Sequence, residues 1–336
     1  MFLITYGTRP EYIKVKPIIE EMRKRNINVE TLFTGQHENL IKQSKPDHIL
    51  KITDNGNRLN SIIISCLTQL TYDFLNKFDY VIVQGDTTSA LSVGIATFHS
   101  KVQLIHLEAG LRTFDIKNPY PEESNRRMIS AIADVHMCPT DDNYINLSAE
   151  GLLSKNERTY IVGNTVIDNL VKYKDSCEYG DTILITMHRR ENHHNMDEWF
   201  TEINKIAINY PEYKFILPLH PNPNVQKHKH LLKDVEVIEP LGYDEFLQKL
   251  IKVKLVITDS GGIQEECSYF NKTCLVCRVV TERPEVLGTT SFLVKSPYQL
   301  HNAFSTHIHH YNTSDTEEIY GKGDSAIRIV DILEKL

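Results

Sequence analysis

The chain is 336 residues long, about two domains at roughly 150 residues per domain. Hydrophobic residues make up 41% and charged residues 24%, which supplies apolar material for two sizeable cores, and 37 basic against 44 acidic side chains leave a net charge of −7. That balance excludes a generic polyanion binder such as a nucleic-acid-coating protein, but not a small anionic ligand held by a few well-placed cations.

In chain order the sequence alternates short β-branched runs with longer segments of helical period, as parallel sheets with crossover helices require. The first series predicts strand Phe2–Tyr6, helix Tyr12–Lys24, strand Val29–Phe33, helix Asn60–Asn76 and strand Tyr80–Val83. Helix Thr88–Phe98, strand Gln103–Leu107, helix Glu122–Ala133 and strand Val135–Cys138 follow. The polar stretch Lys172–Asp181 reads as a linker. The second series predicts strand Thr182–Thr186, helix Asp197–Asn209, strands Lys214–Leu217 and Val235–Ile238, and helix Asp244–Ile251. It closes with strand Leu255–Thr258, helix Ile263–Phe270 and strand Thr273–Val276, and an amphipathic helix runs from about Asp324 to Leu336. The expected class is α/β, with two Rossmann-like, doubly wound domains over residues 1–172 and 173–323. The helix 324–336 is expected to pack back on the first domain.

The longest apolar runs, such as Ile62–Leu67, fall far short of the ~20 residues of a membrane span. Met1–Arg9 has neither the basic start nor the long apolar core of a secretory signal. The expectation is a soluble cytoplasmic protein with no membrane or nucleic-acid partner. Cys274 and Cys277 form a C-x-x-C spacing on a buried strand, where an offset of three points the sulfurs to opposite faces. No second Cys/His pair follows at zinc spacing, so they read as core cysteines and no metal site is expected.

Open α/β sheets bind ligands beyond the carboxyl ends of their strands, so the residues just after each apolar run matter most. Gly7-Thr8-Arg9-Pro10-Glu11, then Lys14, follow the first strand; Gly85-Asp86-Thr87-Thr88 and Glu108-Ala109-Gly110 follow the third and fourth. In the second half, Met187-His188-Arg189-Arg190-Glu191 and Asp259-Ser260-Gly261-Gly262 hold the equivalent places. Ser260-Gly261-Gly262 opens a helix whose free N–H groups favour an anion and whose glycines permit close approach. Arg9 and Arg283 offer planar forks suited to phosphate oxygens. No G-x-G-x-x-G follows a strand and no P-loop motif occurs, so the pattern points to a nucleoside diphosphate held by arginines and backbone amides. Asp86, Glu108, Glu122 and His188 supply groups for proton abstraction and return. His220, after the strand Lys214–Leu217, stands where it can edge the pocket.

These residues resemble the UDP-N-acetylglucosamine 2-epimerases, in particular the non-hydrolysing type. The resemblance runs through Gly7–Glu11, Gly35-Gln36-His37, Gly85–Thr88, His106–Thr113, Pro121–Arg126 and Val162–Thr165. It continues through His188–Asn192, Ser260–Glu266 and Thr281–Glu285, nearly end to end. The chain departs from the family pattern at Met187, His193-His194 and Val279-Val280. The resemblance implies a glycosyltransferase-B-like fold, substrate between the domains and a homodimer. It implies interconversion of UDP-N-acetylglucosamine and UDP-N-acetylmannosamine through a 2-acetamidoglucal, with no cofactor and no required metal. By motif match, Asp86, Glu108, Glu122 and His188 form the catalytic set. Arg9, Lys14, Ser260, Gly261, Gly262, Glu266 and Arg283 hold UDP, Glu266 on the ribose, with Phe246 near the uracil. Gln36, His37 and His220 match residues of an activating second UDP-sugar site in some members. The competing readings are a hydrolysing 2-epimerase that releases UDP and free sugar, a glycosyltransferase on the same fold, and an inactive UDP-sugar-binding protein.

Overall fold

The computed structural model describes residues 1–36, 44–153, 158–309 and 318–336. They form two units: Met1–Asn169 with Gly321–Leu336, and Leu170–Tyr320.

In unit 1 seven strands form one wholly parallel sheet: β1 (Phe2–Tyr6), β2 (Val29–Phe33), β3 (His48–Ile49), β4 (Tyr80–Gln84), β5 (Gln103–Leu107), β6 (Val135–Cys138) and β7 (Thr159–Ile161). Their order is β3-β2-β1-β4-β5-β6-β7. Both faces are covered, which is why the strands read as unbroken apolar runs. Alternation sorts their side chains. Leu3, Val81, Val83 and Leu104 enter one core with Ile62, Leu91, Val93 and Ile129. Ile4, Tyr6, Ile82 and Ile105 enter the other with Val15, Ile18 and Met22 of α1 (Arg9–Lys24). That second core also receives Ile329, Val330 and Leu333 from the last helix, Ser325–Leu333, each burial contributing about 1.5–3 kcal/mol.

In unit 2 six parallel strands repeat the winding: β8 (Thr182–Thr186), β9 (Lys214–Pro218), β10 (Glu236–Ile238), β11 (Val253–Thr258), β12 (Thr273–Val276) and β13 (Ser291–Leu293). Their order is β10-β9-β8-β11-β12-β13. Trp199 is buried in the core on one face, as is Cys277, whereas Cys274 is buried outside that cluster. The described cysteines are free thiols, and no group of His, Cys, Asp or Glu among the described residues is arranged to hold a metal. No helix among the described residues is long and apolar enough to cross a membrane.

The structure departs from the sequence reading in several places, among them two helices that reading does not name, Asp141–Ala149 and Pro297–His307. The helix expected over Asn60–Asn76 is two, Arg58–Gln69 and Tyr72–Leu75: Leu70 leaves helical geometry at ψ 78°, and the Thr71 hydroxyl caps a new start at Phe74 N. Helix α1 begins at Arg9 rather than Tyr12, because Thr8 and Glu11 form a capping box around Pro10. The edge strands β3, β7 and β13, of two or three residues, are too short to show a period.

Candidate active site

Each sheet reverses its winding beside its first strand, between β1 and β4 in unit 1 and between β8 and β11 in unit 2. Such switch points open a crevice past the strand ends. In unit 1 the turn after β1 is fixed by Glu11, 5% exposed. Its Oε2 accepts from Gly7 N (2.9 Å), Thr8 N (2.6 Å) and Thr8 Oγ1 (2.7 Å), and its Oε1 from Thr87 Oγ1 (2.7 Å). Burial raises the Glu11 pKa, and the four donors oppose that shift. One carboxylate thereby ties the end of β1 to the end of β4 and sets Arg9 at the start of α1.

The three acids named from sequence lie at this end of unit 1. Asp86 follows β4, and its carboxylate takes an ion pair from Arg126, whose Nε is 3.1 Å from Oδ2. Asn125 Nδ2 donates to the Asp86 carbonyl at 2.9 Å. Both come from α2 (Glu122–Ile132), so Glu122 stands one turn ahead of Arg126 on the same helix face. Glu123 beside it is fully buried and accepts from Thr113 N, Phe114 N and Arg126 Nη1, a scaffold role. Glu108, one strand over from Asp86, takes an ion pair from Lys14, while Gln84 Nε2 donates to Oε2 at 2.6 Å and Asn164 Nδ2 to Oε1 at 3.1 Å. Glu108 has φ +60°, strained for a non-glycine residue, which is the backbone cost of turning this side chain to its partners. Beneath the acids, His106 Nε2 lies 2.8 Å from the Gly85 carbonyl; burial lowers its pKa to about 3, so a neutral ring donates this bond and fixes the turn carrying Asp86.

In unit 2, His188 follows β8 and is half-buried. Its backbone N–H and that of Arg189 donate to Asp259, fully buried at the end of β11, at 3.0 and 2.9 Å to Oδ2. His188 Nδ1 lies 3.7 Å from Asp259 Oδ1, and its ring stacks on His220 at 5.1 Å and 14°. Desolvation lowers the His188 pKa, against the pull of Asp259. Ser260 heads α3 (Gly261–Tyr269) without using its side chain as a cap, so the hydroxyl is not spent on the helix's own first amides. A Cβ on Gly262 would meet nothing within 4 Å, so open space lies over this helix start. One turn further, Glu266 accepts from the Tyr243 hydroxyl at 3.0 Å. Tyr243 opens the helix Tyr243–Leu250 that also carries half-buried Phe246.

Two residues expected to hold the phosphates also form ion pairs within their own units. Lys14 pairs with Glu108 inside unit 1. Arg283, 5% exposed, gives Nε to Glu265 (2.7 Å) and Nη1 to Glu282 (2.5 Å). The Lys14 partner is 94 residues away and leaves no trace in sequence, whereas one partner of Arg283 is the adjacent Glu282. Of the second-site residues, Gln36 Oε1 accepts from Ser89 at 2.7 Å, His220 stacks on His188 instead of standing apart, and His37 lies outside the described residues. Arg126, Glu11 and Asp259 stand in motifs read from the sequence without an assigned role, and Tyr243 is not singled out there. Signals are present: the Thr8-x-x-Glu11 spacing of a capping box, the place of Asp259 just after a strand, and the four-residue offset of Arg126 from Glu122.

Residues 20–334 match the protein family described as UDP-N-acetylglucosamine 2-epimerase. The chain belongs to that family. The UDP-N-acetylglucosamine 2-epimerase of Neisseria meningitidis serogroup A is 36% identical, with 99% of each chain covered. That of Campylobacter jejuni is 39% identical over 85% of this chain and 83% of its own. Among solved structures, the N. meningitidis UDP-GlcNAc 2-epimerase bound to UDP-GlcNAc superposes with TM-score 0.91 at 35% identity, covering both chains fully. The Methanocaldococcus jannaschii UDP-GlcNAc 2-epimerase in complex with UDP-GlcNAc and UDP gives TM-score 0.85 at 31% identity, again over both full chains. These neighbours place the two Rossmann-type units in the glycosyltransferase-B-like class and the 2-epimerase family member among the isomerases.

Proposed function

We propose that the protein interconverts UDP-N-acetylglucosamine and UDP-N-acetylmannosamine without net hydrolysis. The observation that carries this reading is the set of three acids at one end of unit 1. Asp86 is held by Arg126, Glu108 by Lys14 and two amides, and Glu122 stands at a helix start beside them. Separate supports allow neighbouring carboxyl groups to take different protonation states, which proton removal and return at one carbon demand.

The chemistry runs as follows. The anomeric C1–O bond breaks, and the bonding pair leaves with the UDP oxygen. Positive charge at C1 makes the C2 proton acidic; a carboxylate takes it, and the C1–C2 double bond of 2-acetamidoglucal forms. The UDP oxygen then adds back to C1 while a proton reaches C2 from the opposite face. Stabilising the departing diphosphate also activates the proton. In unit 2 the open helix start at Ser260–Gly262 supports that task; in this reading Glu266, which accepts from the Tyr243 hydroxyl, takes the ribose and Phe246 the uracil. His188, held by Asp259, serves as a proton-handling partner in unit 2, and Arg9 offers a cation at the start of α1 in unit 1.

Incubation with UDP-N-acetylglucosamine in heavy water, followed by NMR, tests this. Deuterium at C2 together with accumulating UDP-N-acetylmannosamine is the expected result. Free N-acetylmannosamine plus UDP as the dominant products would instead identify a hydrolysing enzyme. Turnover only with a sugar acceptor would identify a glycosyltransferase, and UDP binding without exchange an inactive binder.

A further inference from the structure

Two arginines and three glutamates form one continuous chain in unit 2, in the order Glu191, Arg278, Glu282, Arg283, Glu265, buried except at Glu191, whose side chain is 22% exposed. Arg278, fully buried, donates from Nε to Glu191 Oε1 at 2.7 Å and from Nη1 to Glu282 Oε2 at 2.8 Å. The other oxygen of Glu282 accepts from Arg283 Nη1 at 2.5 Å, and Arg283 Nε reaches Glu265 Oε1 at 2.7 Å. The members come from the turn after β8, the loop after β12 and helix α3. One end of the chain therefore grips the turn that carries His188. The other lies directly under the helix start: a Cβ on Gly261 would fall 2.5 Å from Glu282 Oε1 and 2.6 Å from Arg283 Nη1. A second tie runs beside the first, from Asn192 Nδ2 to the Cys277 carbonyl at 3.0 Å.

We propose that Arg278 is a positioning residue that locks the His188 turn and the Ser260–Gly262 helix start into one rigid body. The inference rests on the UDP-sugar epimerase reading above. Arg278 is shielded from solvent and acts through its carboxylates, not on substrate. Its planar fork is what makes the link: two carboxylates on different segments are engaged by two different nitrogens, a geometry an ammonium cannot reproduce. Glu191 is the joint on the histidine side and Glu282 the joint on the nucleotide side, so each half of the link can be opened alone.

The experiment uses the full chain with Arg278→Lys, Glu191→Gln and Glu282→Gln. It reads kcat and KM for C2 exchange in heavy water, the UDP Kd by calorimetry, and Tm. Arg278→Lys is expected to lower kcat by about 10²-fold, the cost of a small misplacement of reacting groups, and to weaken UDP binding about tenfold. Glu191→Gln lowers kcat while leaving the UDP Kd near wild type; Glu282→Gln weakens UDP more than it lowers kcat. If the lysine variant does not fold, the two isosteric variants still read the split. Equal effects of Glu191→Gln and Glu282→Gln on both quantities, or a lowered Tm with kcat and Kd of wild type, would overturn the proposal. Absence of exchange in the wild-type protein would instead defeat the epimerase reading, and the UDP Kd of Arg278→Lys and Glu282→Gln would still report on the link.

Discussion

Lys14 and Glu108 form an ion pair with side chains only 11% and 10% exposed, joining the first helix of unit 1 to the end of its fifth strand. Removing one partner of a buried pair strands the other charge away from water. Lys14→Met is therefore expected to cost about 3 kcal/mol in urea denaturation, while Lys14→Met with Glu108→Leu recovers most of that loss. A Lys14→Met protein as stable as wild type would show that the pair does not hold this end of the sheet.

Asp86→Asn and Glu122→Gln are each expected to lower turnover by at least ~100-fold. UDP affinity should stay close to wild type, because both acids belong to unit 1 and the helix start proposed for the diphosphate belongs to unit 2. Steady-state kinetics beside UDP calorimetry checks this, and parallel loss of both quantities would remove the acids from the catalytic assignment.

The adjacent glycines of unit 2 separate fold from ligand. Gly262→Ala adds a methyl group to open space, so Tm should hold while UDP binding weakens about tenfold. Gly261→Ala pushes into the Glu282 and Arg283 side chains and should destabilise by about 1–3 kcal/mol. Wild-type UDP affinity in the Gly262 variant would show that nucleotide phosphates do not approach this helix start.

Asp168 accepts the Ala326 N–H at 2.8 Å at the start of the last helix, and burial raises its pKa to about 6. A carboxyl whose folded pKa lies above its unfolded value contributes stability that is complete below the unfolded value and lost as pH rises through the folded one. The wild-type Tm should therefore fall, relative to Asp168→Asn, as pH climbs through about 6. An identical pH profile for the two proteins would show that this carboxyl does not titrate in the folded state.

Strand ends were the most legible part of the sequence. Long apolar runs mark strands buried on both faces, and the residues following them are confined by topology to the sheet's carboxyl edge. Asp86, Glu108, His188 and Ser260 were found that way, and each stands there. Long-range pairings left no such trace. Asp86 is paired with Arg126, 40 residues on, and one of the two carboxylates on Arg278 is Glu191, 87 residues back. Periodicity cannot report contacts made across a fold. Arg283 is held by two glutamates, the adjacent Glu282 and Glu265 on another segment, and only the second is hidden from a local reading. Short elements escaped for a different reason, since two residues such as His48–Ile49 carry no pattern.

The helix Ser325–Leu333 completes a core whose other parts lie before residue 170. During synthesis, then, the ribosome must deliver all of Leu170–Tyr320 before the apolar stripe of Val15, Ile18 and Met22 gains its last cover. The middle of the gene can mature as a self-contained body while its beginning still waits. A nascent chain paused within that stretch would display a sticky surface that chaperones recognise.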